Sequence, residues 1–267
     1  RKGREKRKVV VSYRLQLDEP YHIRHTQIDI QDDSLRPELA DWEKEALVQP
    51  GMQYDVSLLD AERARISEKL QNNGYWAFNK DFLHYSIDSN LNSKQMDVIL
   101  HVRKMVSNMV DSLTGEPILL HHKKYYLDQV YIIPLSRNQA QADTFRFDTV
   151  AFEEISRREK RKGKSGPVYH ILNQGKPIIK YKSVVQKTIL KPGDLYSLKN
   201  VTDTYDNLSD LRAFQYTNIS LSEKPYDTCL DYAQNNRLDC QIRMIQGSRF
   251  SFSVEGQLTT SSGIQGV

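Results

Sequence analysis

Pro50-Gly51-Met52-Gln53-Tyr54 and Pro192-Gly193-Asp194-Leu195-Tyr196 are two copies of one turn, each followed by the same run of patterns. A Ser-headed helical stretch comes first, then an aromatic-led strand, then a second alternating strand. Self-similarity of this kind marks a tandem array of one small module. The 267 residues suffice for one large domain or two to three small ones, and at 39% apolar they can build real cores.

In the first copy, residues 21–30 read as a short strand ending on Ile28 and Ile30. Before it, 9–17 alternates Val9, Val11, Tyr13, Leu15 and Leu17 against polar partners, the period-two pattern of a half-buried strand. A helix is expected at 35–48. Pro37 lies near its start, where a missing N–H is harmless, and Leu39, Trp42, Ala46 and Leu47 share one face. Pro50-Gly51 stops it. A second helix opens on the capping box Ser57-Leu58-Leu59-Asp60. It buries Leu59, Ile66 and Leu70 and exits through Asn72-Asn73-Gly74, a left-handed stop. Strands follow at 78–87, with Leu83, Tyr85 and Ile87 on one face, and at 96–103, with Met96, Val98, Leu100 and Val102 on one face.

The second copy repeats this order with an interruption. Residues 125–133 supply the opening strand, and 135–178 are extra. The extra segment holds a strand-like Phe145-Arg146-Phe147, a basic run at 157–164, and a hairpin through Asn173-Gln174-Gly175-Lys176. A short helix carries Val184, Val185 and Ile189 to Pro192-Gly193. Ser197 then starts a helix with Val201, Tyr205, Leu208 and Leu211 on its apolar line, about one turn shorter than its counterpart. Strands at 214–222 and 237–246 close the copy, with Leu238, Cys240, Ile242 and Met244 aligned. The 21-residue stretch 104–124 between the copies is either flexible or folded back. In the tail, 249–258 alternates Phe250, Phe252 and Val254 against polar residues, which fits the first strand of a transmembrane barrel or an ordinary edge strand.

The net charge of +4 comes largely from basic runs at 1–8 and 157–164. They read as solvated loops or ends, with contact to anionic lipid as the other reading, and no interleaved aromatics favour nucleic acid. No stretch has the roughly 20 apolar residues of a membrane helix. The chain opens on charge rather than on a signal-peptide pattern, as a piece of a longer protein would. Cys229 and Cys240 flank a hairpin that could bring them together as a disulfide. His121-His122 lack metal-ligand spacing, no nucleotide or nucleophile motif occurs, and Trp42 and Trp76 read as core anchors. No metal, cofactor or catalytic residue is expected; the chain reads as a binding module rather than an enzyme.

These patterns resemble POTRA modules, the periplasmic repeats of the BamA/TamA outer-membrane assembly family (the bacterial surface antigen family). The resemblance is carried by Pro50-Gly51…Tyr54, Pro192-Gly193…Tyr196, the exit Leu70-Gln71-Asn72-Asn73-Gly74-Tyr75-Trp76, its counterpart Leu208…Leu211…Phe214, and the junction Pro20-Tyr21-His22-Ile23. Arg212 stands where the pattern has a glycine like Gly74. The resemblance implies an α+β fold of tandem β-α-α-β-β modules, two helices on a three-stranded mixed sheet. It divides the chain into the last strand of a preceding module (1–20), a module (21–103), a connector (104–124), an enlarged membrane-proximal module (125–247, insertion 135–178), and the first strand of a transmembrane β-barrel (248–267).

The implied chemistry is backbone recognition. An exposed edge strand presents unpaired N–H and C=O groups to which an extended client can add. The expected edges are 78–87 and 214–222, with Phe78, Lys80, Phe82, His84, Tyr85, Ile87, Phe214, Tyr216, Ile219 and Leu221 as site residues. The implied partners are unfolded outer-membrane protein segments, periplasmic or lipoprotein partners, and the outer membrane through a downstream barrel. The implied place is the periplasmic face of a Gram-negative outer membrane. Two-partner secretion transporters use the same modules, and so does a periplasmic scaffold without transport; both remain alternatives.

Overall fold

The structure is a computed structural model that describes residues 11–14, 19–89, 93–112, 114–136, 148–155, 161–173, 180–225 and 236–247. The chain divides into two units: Arg1–Ser67 with Asn79–His122, and Glu68–Phe78 with Lys123–Val267.

Unit 1 contains β1 (His22–Ile30), α1 (Trp42–Glu45), most of α2 (Val56–Asn72), β2 (Leu83–Asp88), β3 (Gln95–Val102), β4 (Met105–Val110) and β5 (Pro117–Leu120). Its main sheet has the order β1-β3-β2, with β1 parallel and β2 antiparallel to the central β3. Met96, Val98, Leu100 and Val102 of β3 are all buried, as their alternation requires. Ile23, Val48, Leu59, Met96 and Val98 form one cluster, with Tyr54, Leu58 and Tyr85 packed against it. The connector folds back: β4 and β5 pair antiparallel as a separate hairpin.

The helix expected at 35–48 is mostly tight turns, with a 3-10 turn at Asp33–Leu35 and a single α-turn at α1. Leu39 N–H divides between the carbonyls of Leu35 and Arg36 at 3.2 and 3.3 Å, and Trp42 N–H bonds Leu39 O at 3.0 Å. A buried carboxylate ends the turn. Glu62, fully buried, accepts from Leu47 N–H at 3.0 Å, so this N–H leaves the helical ladder. The backbone then swings out at Ala46, which exposes Leu47 and buries Val48 instead.

The start of α2 also departs from expectation. Asp55, not Ser57, is the cap: its Oδ1 accepts from Ser57 N–H at 2.8 Å and Ser57 O–H at 2.6 Å. A carboxylate suits this place because the helix N-terminus carries partial positive charge. The exit matches expectation. Tyr75 N–H bonds Leu70 O at 3.1 Å across Gly74, whose φ is +101°. A Cβ there would come within 2.7 Å of Leu195 Cδ1. Of the strand expected at 9–17, residues 11–14 form no strand, and Val11 and Tyr13 are exposed. The rest of it lies outside the described residues.

Unit 2 contains β6 (Tyr126–Leu135), β7 (Asp148–Glu153), β8 (Val168–Asn173), α3 (Tyr181–Val185), α4 (Leu198–Ser209), β9 (Phe214–Glu223) and β10 (Arg237–Gln246). Its sheet runs β7-β8-β6-β10-β9. The segment β6-β10-β9 repeats the topology of β1-β3-β2, with β6 parallel and β9 antiparallel to the central β10. The insertion adds β8 parallel to β6, and β7 antiparallel to β8. The hairpin of the insertion therefore pairs Asp148 with Asn173 and Glu153 with Val168. Residues 145–147 and 174–176, where the sequence reading placed a strand and a turn, lie outside the described residues.

Leu238, Cys240, Ile242 and Met244 are fully buried in the core of unit 2, together with Leu127, Val130, Ile132, Tyr169 and Leu208. In α4 the buried face carries Thr204 rather than Tyr205, which is 46% exposed. Thr204 Oγ1 accepts from Ile189 N–H at 3.0 Å and donates to Asn200 O at 2.7 Å, so the polar residue is satisfied. α4 is shorter than α2, 12 residues against 17.

The two Pro-Gly turns carry the same hydrogen bonds. Met52 N–H returns to Gln49 O and Asp194 N–H to Lys191 O, while Gly51 and Gly193 have φ of +87° and +90°. Pro followed by a left-handed Gly is the type II turn. Each turn is then bonded to the first strand of its unit. Gly51 N–H donates to Ile23 O and Gly193 N–H to Leu127 O, both at 2.7 Å. Ile23 N–H bonds Met52 O, Leu127 N–H bonds Asp194 O, Tyr54 N–H bonds Tyr21 O, and Tyr196 N–H bonds Tyr125 O. The sequence repeat is thus a repeat of backbone bonding.

Candidate functional site

Edges matter here because an antiparallel strand alternates. Every second residue exchanges both main-chain bonds with its partner, and the residues between aim both groups the other way. In β2 the phase follows from Arg103 N–H bonding Phe82 O at 2.9 Å and from the register His84↔His101. Even-numbered residues bond β3, so Leu83, Tyr85 and Ile87 point their N–H and C=O away from the sheet. In β9 the phase follows from Lys224 N–H bonding Arg237 O at 3.1 Å and from Ser222↔Asp239. There Thr217, Ile219, Leu221 and Glu223 face outward. Among the described residues the opposite edges of these two sheets are β1 and β7, and the start of β1 is covered by the Pro-Gly turn.

Beside β2 a groove of about 380 Å³ runs between strand and helix, lined by Val56, Leu59, Asp60 and Arg63 of α2 and by Leu83, His84 and Tyr85. Its walls are apolar along Leu59 and Leu83, with charge at Asp60 and Arg63. The Tyr85 hydroxyl is buried and has no hydrogen-bond partner among the described residues. Burial, with the nearby Glu62 charge, raises its pKa, so the phenol stays neutral. His84 lies on the other face of β2, its Nε2 3.5 Å from an Arg103 nitrogen. Burial first, then the charges of Arg103 and Arg63, lower its pKa and favour the neutral ring.

The structure divides the expected site residues. Tyr85 and Ile87 lie on the open edge, and Ile87 is 38% exposed. Phe78, Lys80 and Phe82 precede the strand and are not edge residues. Phe78 is buried and its carbonyl accepts from Gln71 Nε2 at 2.7 Å. Lys80 and Phe82 form a 3-10 turn capped by Asn79, whose side chain accepts from Asp81 N–H at 2.8 Å. That cap is why the strand starts late: the turn consumes the N–H groups a longer β2 would present. Phe82 instead packs edge-to-face on His122 at 4.6 Å. On β9, Ile219 and Leu221 pack half-buried against the core, Phe214 is half-buried at the strand start, and Tyr216 is 54% exposed on the solvent face.

Sequence reading missed Val56, Asp60 and Arg63. Their spacing of four and three along α2 places them on one line, the only trace in the sequence, but nothing local says that this line borders β2.

His121-His122, which lack metal-ligand spacing, anchor the chain to Asp32. The fully buried Asp32 accepts from His122 N–H at 2.6 Å and from Ser34 N–H at 3.0 Å, with His121 Nδ1 at 2.7 Å. Burial alone would raise the Asp32 pKa, but these bonds together hold it below the usual carboxylate range. His122 is itself buried, with Nε2 3.0 Å from Arg103 O. Trp42 donates Nε1–H to Glu62 at 2.8 Å, and Trp76 stacks edge-to-face on Tyr125 at 5.5 Å. Cys240 is a buried free thiol, its pKa pushed up to about 12 by burial. Cys229 lies outside the described residues, as does 248–267.

A wider cleft of about 730 Å³ in unit 2 lies at the β7–β8 end of the sheet, opposite β9, with Lys164, Lys182 and Lys191 among its lining residues. Among the described residues no group of His, Cys, Asp or Glu could hold a metal ion, and no helix is long and apolar enough to cross a membrane.

No protein-family model matches the sequence, and no curated protein does. Solved structures do. The chain is similar to BamA from Haemophilus ducreyi lacking POTRA domains 1–3, with a TM-score of 0.51 at 9% identity. That match covers 85% of this chain and 30% of the other. POTRA1–2 of Omp85 from Anabaena matches at 10% identity over 87% of this chain and 99% of the other, with a TM-score of 0.38. Haemophilus influenzae BamA POTRA3–5 matches at 11% identity over 85% and 97%, with a TM-score of 0.30. The chain has the mixed α+β fold of POTRA-bearing BamA and spans under a third of that chain.

Proposed function

We propose that this chain is the POTRA region of an outer-membrane protein assembly or translocation factor, and that it receives unfolded barrel segments by strand addition at β2 and β9. The observation that carries the reading is the pair of open edges. Tyr85 and Ile87 in one unit, and Thr217, Ile219 and Leu221 in the other, aim main-chain donors and acceptors away from their sheets. Main-chain pairing is nearly blind to side chains, which suits a receiver of many unfolded clients. The likeness to BamA supports the same reading at the level of fold. On this reading the chain is a binding and assembly module, not an enzyme, and lies in the Gram-negative periplasm. Residues 1–20 end a preceding module, and 248–267 begin the barrel through which it is held at the outer membrane. Other periplasmic proteins or lipoproteins bind elsewhere on it.

Amide exchange tests it. A saturating unfolded barrel-strand peptide should slow exchange at Tyr85, Ile87, Thr217, Ile219 and Leu221. Protection confined to helix surfaces would reject strand addition.

A further inference from the structure

The open edge of β2 is shorter than the strand. Leu83 is the first residue whose main-chain groups face outward, yet both are already taken. Its N–H bonds Lys80 O, closing the 3-10 turn. Its carbonyl accepts from Arg63 Nε at 2.9 Å. The same guanidinium donates from Nη2 to Lys80 O at 2.8 Å, and its Nη1 is held by Asp60 at 3.2 Å. Asp60 in turn lies 3.4 Å from Lys80 Nζ. Arg63 is thus fixed on α2, with its planar fork across the edge where an added strand would continue. No lysine could span both carbonyls and the carboxylate in this way. Beyond Leu83, only Tyr85 and Ile87 keep outward N–H and C=O groups within β2. On β9, by contrast, four residues in alternation face outward, and no arginine lies against their carbonyls among the described bonds.

We infer that Arg63 is a specificity-determining stop. It ends strand addition on β2 at Tyr85 and so sets both the length and the register of the extended segment that this edge accepts. The inference rests on the strand-addition reading and adds to it a limit that a bare open edge would lack. β2 takes a short segment, paired only at Tyr85 and Ile87, whereas β9 takes a longer one.

The probe is a synthetic peptide with the sequence of residues 249–258, an alternating segment, titrated into the isotope-labelled full chain. Backbone carbonyl shifts are followed by NMR. In the wild type, Tyr85 and Ile87 carbonyls should move while Leu83 stays. In Arg63→Ala, the Leu83 carbonyl should move too, one further peptide amide should become protected, and binding at this edge should tighten about fivefold, the worth of one more main-chain bond. Arg63→Lys, which keeps one donor near Leu83, should retain the wild-type pattern. Movement of the Leu83 carbonyl in the wild type, or an unchanged pattern in folded Arg63→Ala, overturns the stop. If Arg63→Ala does not fold, the wild-type Leu83 carbonyl decides alone. Silence of all β2 carbonyls while the peptide binds elsewhere has a different meaning: strand addition at β2 itself fails, and the stop with it.

Discussion

Glu62 illustrates how one buried side chain can reshape a backbone. Its carboxylate takes hydrogen bonds from the Trp42 indole, the Leu47 N–H and the Arg65 guanidinium, the last at 2.8 Å to each oxygen. Removing it strands a buried indole N–H, a main-chain N–H and half of a charge pair, and breaking a buried pair of this kind costs about 3 kcal/mol or more. Glu62→Ala should therefore lower the denaturation midpoint markedly, whereas Glu45→Ala, at the exposed end of the same network, should cost under about 1 kcal/mol. The Asp32–His122 anchor predicts a pH dependence. His122 has a folded pKa below its ordinary value of about 6.5, because burial disfavours the cation. The unfolded imidazole thus binds protons more readily, and stability present above about pH 6.5 is lost as pH falls through that value and below. Asp32, also depressed, adds a second loss below about pH 4. Thermal melts from pH 7.5 to 5 should show the first loss in the wild type, and His122→Gln should reduce it, leaving the share that His84, depressed in the same direction, contributes.

At the scale of elements, the Pro-Gly turn and the edge strands each set a testable condition. Gly51 and Gly193 have positive φ, and nothing lies within 4 Å of a Cβ added to either, so the penalty for a side chain there is conformational rather than steric. Gly51→Ala and Gly193→Ala should each destabilise their unit by about 1–2 kcal/mol, read by urea unfolding. Helix exits show how far glycine is optional: Gly74 makes one at φ +101°, and Arg212 makes its counterpart at φ +48°. The edges allow a sharper probe. At Ile87 and Ile219 the N–H faces outward and bonds no ladder partner, so proline removes the donor a client would use without breaking the ladder, and at Ile219 it also removes half-buried packing. Ile87→Pro should leave the melting temperature within a few degrees of wild type, Ile219→Pro should lower it further through the lost packing, and each should abolish peptide protection on the edited edge. An unchanged peptide affinity in a folded Ile219→Pro chain would count against strand addition at β9.

At the scale of the whole chain, the two units carry one topology in two sizes. β6-β10-β9 has the parallel and antiparallel pairing of β1-β3-β2, and the insertion extends the larger sheet on the β6 side, where it leaves β9 open. Cys240 reports on unit 2 as a unit: its thiol is in the core and protonated. A thiol-specific reagent should find no reactive Cys240 in the native chain and two thiols on denaturation without reductant. None on denaturation would establish the bridge to Cys229.

Burial faces, strand pairs and turns were legible because they are local. The alternation of 237–246 and of 96–102 places every second side chain on one face, and Pro-Gly joins a residue of fixed φ to one that takes positive φ at little cost, whatever surrounds it. The repeat, and with it the fold, followed from those patterns. Three things were not legible: the loss of the helix at 35–48, the late start of β2 at Leu83, and the closing of its first outward carbonyl by Arg63. Each depends on a hydrogen-bond partner far along the chain or on a competing cap, Glu62 for Leu47, Asn79 for Asp81, and Arg63 for Leu83. Periodicity names the face a residue takes, but only the packed chain decides which distant donor or acceptor reaches it first.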